Sequence, residues 1–185
     1  MSSKYKVGEE AMAHFVTSTV VGWADVFSRE MYKEIIVDSL AYCQKEKGLT
    51  VHAWVIMTNH IHLIISSSTN SISNIMRDFK KYTSKKIIAA IESNEKESRK
   101  DWLLSMFKYA GTGNPGNKEY QFWKNEFHPV ALDTPEKMAE RLNYLHLNPV
   151  RAGLVWAAEA YKYSNAIDYC TNMKGLLDVV LVDAA

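Results

Sequence analysis

His60 and His62 stand one residue apart inside the apolar run "MTNHIHLIIS", residues 57–66. Side chains alternate along a strand, so the two imidazoles share one face while Ile61, Leu63 and Ile65 form a purely apolar one. Neutral imidazole is the commonest metal ligand among side chains, and same-face Cβ neighbours match the scale of a metal's ligand shell. Two ordinary strand histidines would give the same pattern, and spacing alone leaves both readings open. A second group lies in "PEKMAERLNYLHLNPV", residues 135–150. Met138, Leu142 and Leu145 form an apolar helical stripe, and Lys137, Arg141, Tyr144 and Asn148 form another roughly a quarter turn away. Tyr144 and Asn148, four apart, present a phenol and an amide oxygen together at the edge of a buried surface. A boundary tyrosine and a helix-ending asparagine before proline are the plainer alternative.

The third group is cationic. "RDFKKYTSKK", residues 77–86, holds five Lys/Arg against one Asp. Arg77, Lys80, Lys81, Ser84 and Lys85 fall three, four and eight residues apart and share one helix face. Such a face meets phosphates with release of counterions, or is simply solvated.

The elements that must position these groups follow from patterning. "MAHFVTSTVV" (12–21) reads as a first strand closed by Gly22. Ser28 is the expected cap of a helix in which Ile35, Leu40 and Cys43 lie at near-helical spacing, with Gly48 as its stop. "TVHAWVIM" and "HIHLIISS" form an antiparallel hairpin turned at Thr58-Asn59. Ser71 or Ser73 starts a second helix. Residues 92–118 read as polar and loop-like, and "YQFWKNEFHPVAL" as a further strand or hairpin with its tip near Lys124-Asn125. Asp133-Thr134-Pro135-Glu136 is a strong helix start, and the helix should end near Asn148, before Pro149. The apolar tail packs back on the body. The order predicts an α+β sandwich, mainly antiparallel and close to the ferredoxin-like or RRM-like pattern.

Composition sets bounds on function. The chain of 185 residues suits one domain, 1–185, with 47% hydrophobic and 23% charged residues. No run approaches the roughly 18 to 20 apolar residues of a membrane span, and "MSSKYKVGEE" lacks a signal-peptide apolar region, so a cytoplasmic location is expected. Cys43 and Cys170 form no metal or disulfide pattern, and Cys43 reads as a small core residue. A net charge of +1 gives no global sign of nucleic-acid binding.

Taken in order, "VIMTNHIHLIIS", "FKKYTSKKI", "FWKNEFHPVAL" and "YLHLNPVRAGLV" resemble the single-tyrosine HUH transposases, and most closely the REP-associated tyrosine transposase branch. The likeness runs from about residue 14 to "YKYSNAIDY", nearly the whole chain. The resemblance implies that His60 and His62 bind a divalent metal, Mg²⁺ or Mn²⁺, and that Tyr144 is the nucleophile. It also implies a polar metal ligand one turn after the tyrosine. That position holds Asn148, where better-known members carry the longer Gln. The proline that usually precedes N-H-x-H is Thr58, and the usual "SSA" is Ser164-Asn165-Ala166.

A phenol is a weak nucleophile at neutral pH, its ordinary pKa being about 10. A metal would polarise the scissile phosphate, and histidine ligands favour Mn²⁺ over Mg²⁺. The resemblance implies a covalent 5′-phosphotyrosine on single-stranded or hairpin DNA, with Arg77, Lys80, Lys81 and Lys85 following the backbone. Phe122 and Trp123 could stack bases, but core packing suits them better. His146, about 200° round the helix from Tyr144, reads as structural. His128 suits a DNA contact or simple packing, and His52 has no assigned role. Resemblance to insertion-sequence relatives further implies a homodimer, with the tyrosine helix serving its own or the partner's metal site, while resemblance to the REP-associated branch implies a chain that can act alone. Two rivals stand beside this: a catalytically silent or domesticated DNA-binding relative, and a metal hydrolase using water in place of Tyr144.

Overall fold

The computed structural model describes residues 12–112 and 119–182. Four strands, β1 (His14–Thr19), β2 (Leu49–Ile56), β3 (His60–Ser67) and β4 (Val130–Ala131), form one antiparallel sheet in the order β2-β3-β1-β4. Helices α1 (Glu30–Lys47) and α2 (Ile72–Ser93) complete the ferredoxin-like β1-α1-β2-β3-α2-β4 chain. Helix α3 (Lys100–Thr112) is inserted between α2 and β4, and α4 (Pro135–Arg151) and α5 (Ala166–Cys170) follow the sheet. No helix among the described residues is long and apolar enough to cross a membrane.

The hairpin face expected to be apolar is so: Ile61, Leu63 and Ile65 are fully buried, with Ile36 and Leu40 of α1 and Met76 and Phe79 of α2 in the same core. Gly48 ends α1 in the left-handed conformation (φ 70°), where a Cβ would also collide with Thr69 Oγ1. Phe122, Trp123 and Cys43 are buried as expected, and His52 bonds Ser66 Oγ and the Val180 carbonyl, tying the tail to β2.

Several boundaries differ from expectation for identifiable reasons. β1 is shorter than 12–21. Ser28 does not cap α1, whose N-cap is Arg29 with no side-chain bond. The hairpin turn includes Met57, whose N–H donates to the His60 carbonyl, and Asn59 needs no left-handed backbone. Residues 100–112 form α3, not a loop, because Leu103, Phe107 and Gly111 recur every four residues on a buried stripe. Residues 113–118 lie outside the described residues. "YQFWKNEFHPVAL" is mostly irregular; its bonds to β1 are few, among them Lys124 N–H to the Thr19 carbonyl. α4 starts as predicted, with Thr134 Oγ1 accepting from Lys137 N–H, but it runs through Pro149 to Arg151. Proline forfeits one helical hydrogen bond, and Pro149 is buried, so packing offsets the loss.

Helix α4 lies against the sheet face opposite α1 and α2. Asn165, fully buried, holds it there. Its Oδ1 accepts from Trp54 N–H (2.9 Å) and His146 Nε2 (3.1 Å), while Nδ2 donates to the His52 carbonyl (3.1 Å). His146 is therefore structural, as its position on the helix implied. Asn165→Ala strands two buried donors, the Trp54 N–H and the His146 ring, each costing about 1–3 kcal/mol, while the His52 carbonyl keeps its bond from Tyr169 Oη. The expected loss is roughly 2 kcal/mol or more, read from the urea midpoint at unchanged m-value.

Glu97, in the turn before α3, has a fully buried carboxylate. Arg29 Nε (2.6 Å), Arg99 Nε (3.1 Å) and Tyr32 Oη (3.3 Å) donate to it. Burial alone would raise its pKa, but the bonds from Arg99 and Arg29 outweigh that and hold it at about 2. The unfolded chain then binds this proton first as pH falls. Stability from Glu97 is complete above about pH 4.5 and lost toward pH 2. Urea titrations across that window should show a steeper acid loss in the wild type than in Glu97→Gln.

Candidate active site

Strand parity places His60, His62, Phe15, Thr17 and Thr19 on the sheet face that α4 covers, since β1 pairs Thr17 with His62 and Thr19 with His60. The imidazole centroids of His60 and His62 are 4.7 Å apart. The Tyr144 ring meets His62 edge-on at 5.4 Å, and Phe15 stacks on His62 at 5.1 Å. The hairpin imidazoles and the helix phenol thus meet within one chain. Tyr144 is 36% exposed, enough for a polymer to reach its hydroxyl, whereas His62 is buried.

Hydrogen bonds orient both imidazoles through their Nδ1 atoms. Asn59 Nδ2 donates to the Trp23 carbonyl (3.3 Å), which turns Oδ1 toward His60 Nδ1 at 2.6 Å. An amide oxygen only accepts, so His60 carries its proton on Nδ1 and presents Nε2 as a lone pair. His62 Nδ1 lies 2.8 Å from Thr17 Oγ1, and its buried Nε2 has no partner among the described residues. Burial lowers the His60 pKa. Burial, then His60, then Arg141 push that of His62 down to about 3. Both rings are neutral at physiological pH, the form a metal needs.

The residues present fit a divalent ion with open coordination positions. Asn148 is half-buried and lies one turn after Tyr144 on α4. No group of three or more His, Cys, Asp or Glu converges there among the described residues. Further ligands would have to be phosphate oxygens and water, which suits Mg²⁺ or Mn²⁺. The Arg141 guanidinium lies over Phe15 (5.3 Å) and that of Arg151 over Tyr144 (5.7 Å), two cations beside the phenol.

Arg77, Lys80, Lys81 and Lys85 line a groove of about 1020 Å³ between α2 and residues 119–127. They are not equivalent. Lys80 Nζ donates to the Lys124 carbonyl (2.7 Å) and is half-buried, and Arg77 bonds Asp78 and Asn74. Lys81 and Lys85 are exposed and make no ion pair among the described residues. Lys124, one of the groove's lining residues, places its ammonium 4.3 Å over the Trp23 ring, and that ring in turn meets His60 at 6.3 Å. Glu92 and Glu119 lie among the groove's lining as well, so its charge is not uniform. His128 is exposed.

Thr17, Asn59, Trp23, Lys124 and Arg151 carried no assigned chemistry in the sequence. Asn59 was detectable as the neighbour of His60, and Arg151 as seven residues, two helical turns, from Tyr144. In ¹⁵N spectra His60 should show the Nδ1–H tautomer, and Asn59→Ala should abolish that preference without unfolding the chain.

Residues 9–113 match the family described as transposase IS200 like. That stretch holds the hairpin histidines and α2; Tyr144 lies beyond it. Among curated proteins no sequence matches closely enough to be counted. Among solved structures, a REP-associated tyrosine transposase bound to a REP hairpin is 17% identical with a TM-score of 0.63, covering 100% of this chain and 96% of that one. A candidate transposase of Deinococcus radiodurans R1 is 14% identical with a TM-score of 0.45, covering 78% of this chain and 94% of its own. The first of these shares the fold, and the match over 9–113 gives the family: the chain belongs to the IS200-like transposases.

Proposed function

We propose that the chain is a cytoplasmic, metal-dependent single-stranded DNA transposase or endonuclease that recognises hairpin DNA. In this reading residues 1–185 act as one catalytic domain, which cleaves and rejoins strands through a covalent 5′-phosphotyrosine at Tyr144. The observation that supports this most is the exposed Tyr144 phenol against the ring of His62, whose buried Nε2 has no partner among the described residues. The structurally similar REP-associated transposase is bound to a REP hairpin, and a hairpin is the substrate we assign here.

His60 and His62 would hold Mg²⁺ or Mn²⁺ through Nε2, with Asn148 adding its amide oxygen. When bound, the ion would polarise a non-bridging oxygen of the scissile phosphate. Lys81, Lys85 and Arg77 hold the DNA backbone, and Lys80 keeps Lys124 in place at the groove's inner end. Arg141 and Arg151 meet charge that builds on phosphorus-bound oxygens. The Tyr144 oxygen bonds to phosphorus and the bond to the 3′ oxygen breaks. The phenolic proton passes to solvent, and the 3′ oxygen leaves as a hydroxyl. A 3′-hydroxyl from another strand end reverses the step: its bond to phosphorus forms, the tyrosine–phosphorus bond breaks, and the phenol regains a proton. One ester replaces another, so rejoining needs no ATP. The homodimer implied by the resemblance would then pair two complete sites, since Tyr144 lies beside His62 of its own chain.

Labelled hairpin DNA incubated with the protein and Mn²⁺ should give an adduct that survives denaturation and disappears in Tyr144→Phe. Cleavage without an adduct would favour a hydrolase using water, and binding without cleavage a silent DNA-binding relative.

A further inference from the structure

We propose that Trp23 is the nucleobase platform of the site, stacking a base next to the phosphate that reaches His60 and Tyr144. This rests on reading the site as one for single-stranded DNA, but not on any chemistry at Tyr144. Trp23 is 58% exposed; Trp102 and Trp156 are exposed too, but Trp23 is the exposed tryptophan whose ring meets His60. It follows Gly22 in a left-handed backbone conformation, at φ 54°, the sole such non-glycine among the described residues. Strained backbone of this kind persists where surrounding contacts hold it, and it clusters at functional sites. Here Trp23 N–H donates to the Val20 carbonyl (3.1 Å), and the Trp23 carbonyl accepts from Asn59, which also orients His60. The contact that sets the His60 tautomer therefore also fixes the backbone that presents the indole.

The surroundings select a nucleotide over other ligands. Lys124 Nζ, 4.3 Å from the ring centroid, places a cation at the indole, and the ring meets His60 at 6.3 Å. An ammonium over one face of an exposed indole can meet a phosphate while the ring's remaining surface takes a base. The same lysine lines the groove along α2, so a strand held in that groove has Trp23 within reach. Base stacking on an aromatic face tolerates any sequence, because every base has such a face.

The test uses the full chain carrying Tyr144→Phe, in EDTA, so that no strand is cut. Anisotropy measures affinity for a labelled oligothymidylate and for the same backbone made abasic. Removing Trp23 should cost about tenfold on the oligothymidylate, within the range for one stacked base, and almost nothing on the abasic strand. Trp23→Phe keeps a flat ring and should retain most of the preference, whereas Trp23→Leu keeps bulk without a ring and should behave as Trp23→Ala. The leucine variant serves if the alanine variant does not fold. Equal losses on both strands, or an unchanged ratio, would overturn the platform and leave Trp23 as packing for His60. A parent protein that binds neither strand would overturn the DNA reading itself. Failure to form a phosphotyrosine leaves this comparison intact.

Discussion

Asn165 stands where three segments distant in sequence meet. Its carboxamide takes the Trp54 N–H and the His146 ring as donors and gives its own N–H to the His52 carbonyl. The backbone of the same stretch adds bonds from Ile56 N–H to Tyr163 and from Asn165 N–H to Trp54, which cover the outer edge of β2. A planar amide satisfies all three partners in only one orientation, and the Trp54 N–H and the His146 ring would otherwise be buried donors without a partner. This knot sets where α4 rests on the sheet. The distance between Tyr144 and His62 follows from it, because His146 is two residues along the helix from the phenol and His62 lies on the strand beside β2.

Given that placement, the chemistry of the site depends on keeping two adjacent imidazoles uncharged. Burial of both rings, their mutual repulsion if protonated, and Arg141 act in the same direction. Protons therefore compete weakly for the nitrogens that a metal would use. Thr17 and Asn59 occupy the Nδ1 positions and leave Nε2 for coordination, so outer-shell contacts decide which nitrogen is offered. The buried Nε2 of His62 is polar and lacks a partner, a cost that a bound ion would remove.

Strand parity alone separated the His60–His62 face from the Ile61–Leu63–Ile65 face, and the stripe of α4 put Tyr144 at a buried edge. Those features are periodic, and periodicity is what a sequence displays. The helix at 100–112 was hidden because its buried stripe is sparse and charged residues open it. Residues 119–132 read as a strand or hairpin from their aromatics; Val130–Ala131 is a strand and Trp123 makes an isolated bridge to Val20, but the stretch between is irregular, with Phe122 and Trp123 buried in the core. The roles of Asn165 and Trp23 were not legible. One depends on three long-range partners, and the other on a left-handed backbone that residue type disfavours.

The end of α4 joins these strands of reasoning. Proline normally disfavours helix in the residue before it, so a stop at Asn148 was expected. Burial of Pro149 carries the helix on to Arg151 instead. Seven residues bring the helix back nearly to the same face, and the Arg151 guanidinium therefore lies over the Tyr144 ring at 5.7 Å. A helix ending at Asn148 would leave that cation in the following turn, with no fixed relation to the phenol. The last turn beyond proline thus gives the Tyr144 phenol a positive neighbour. The local rule fails where α4 ends, and that is where Tyr144 gains its cation.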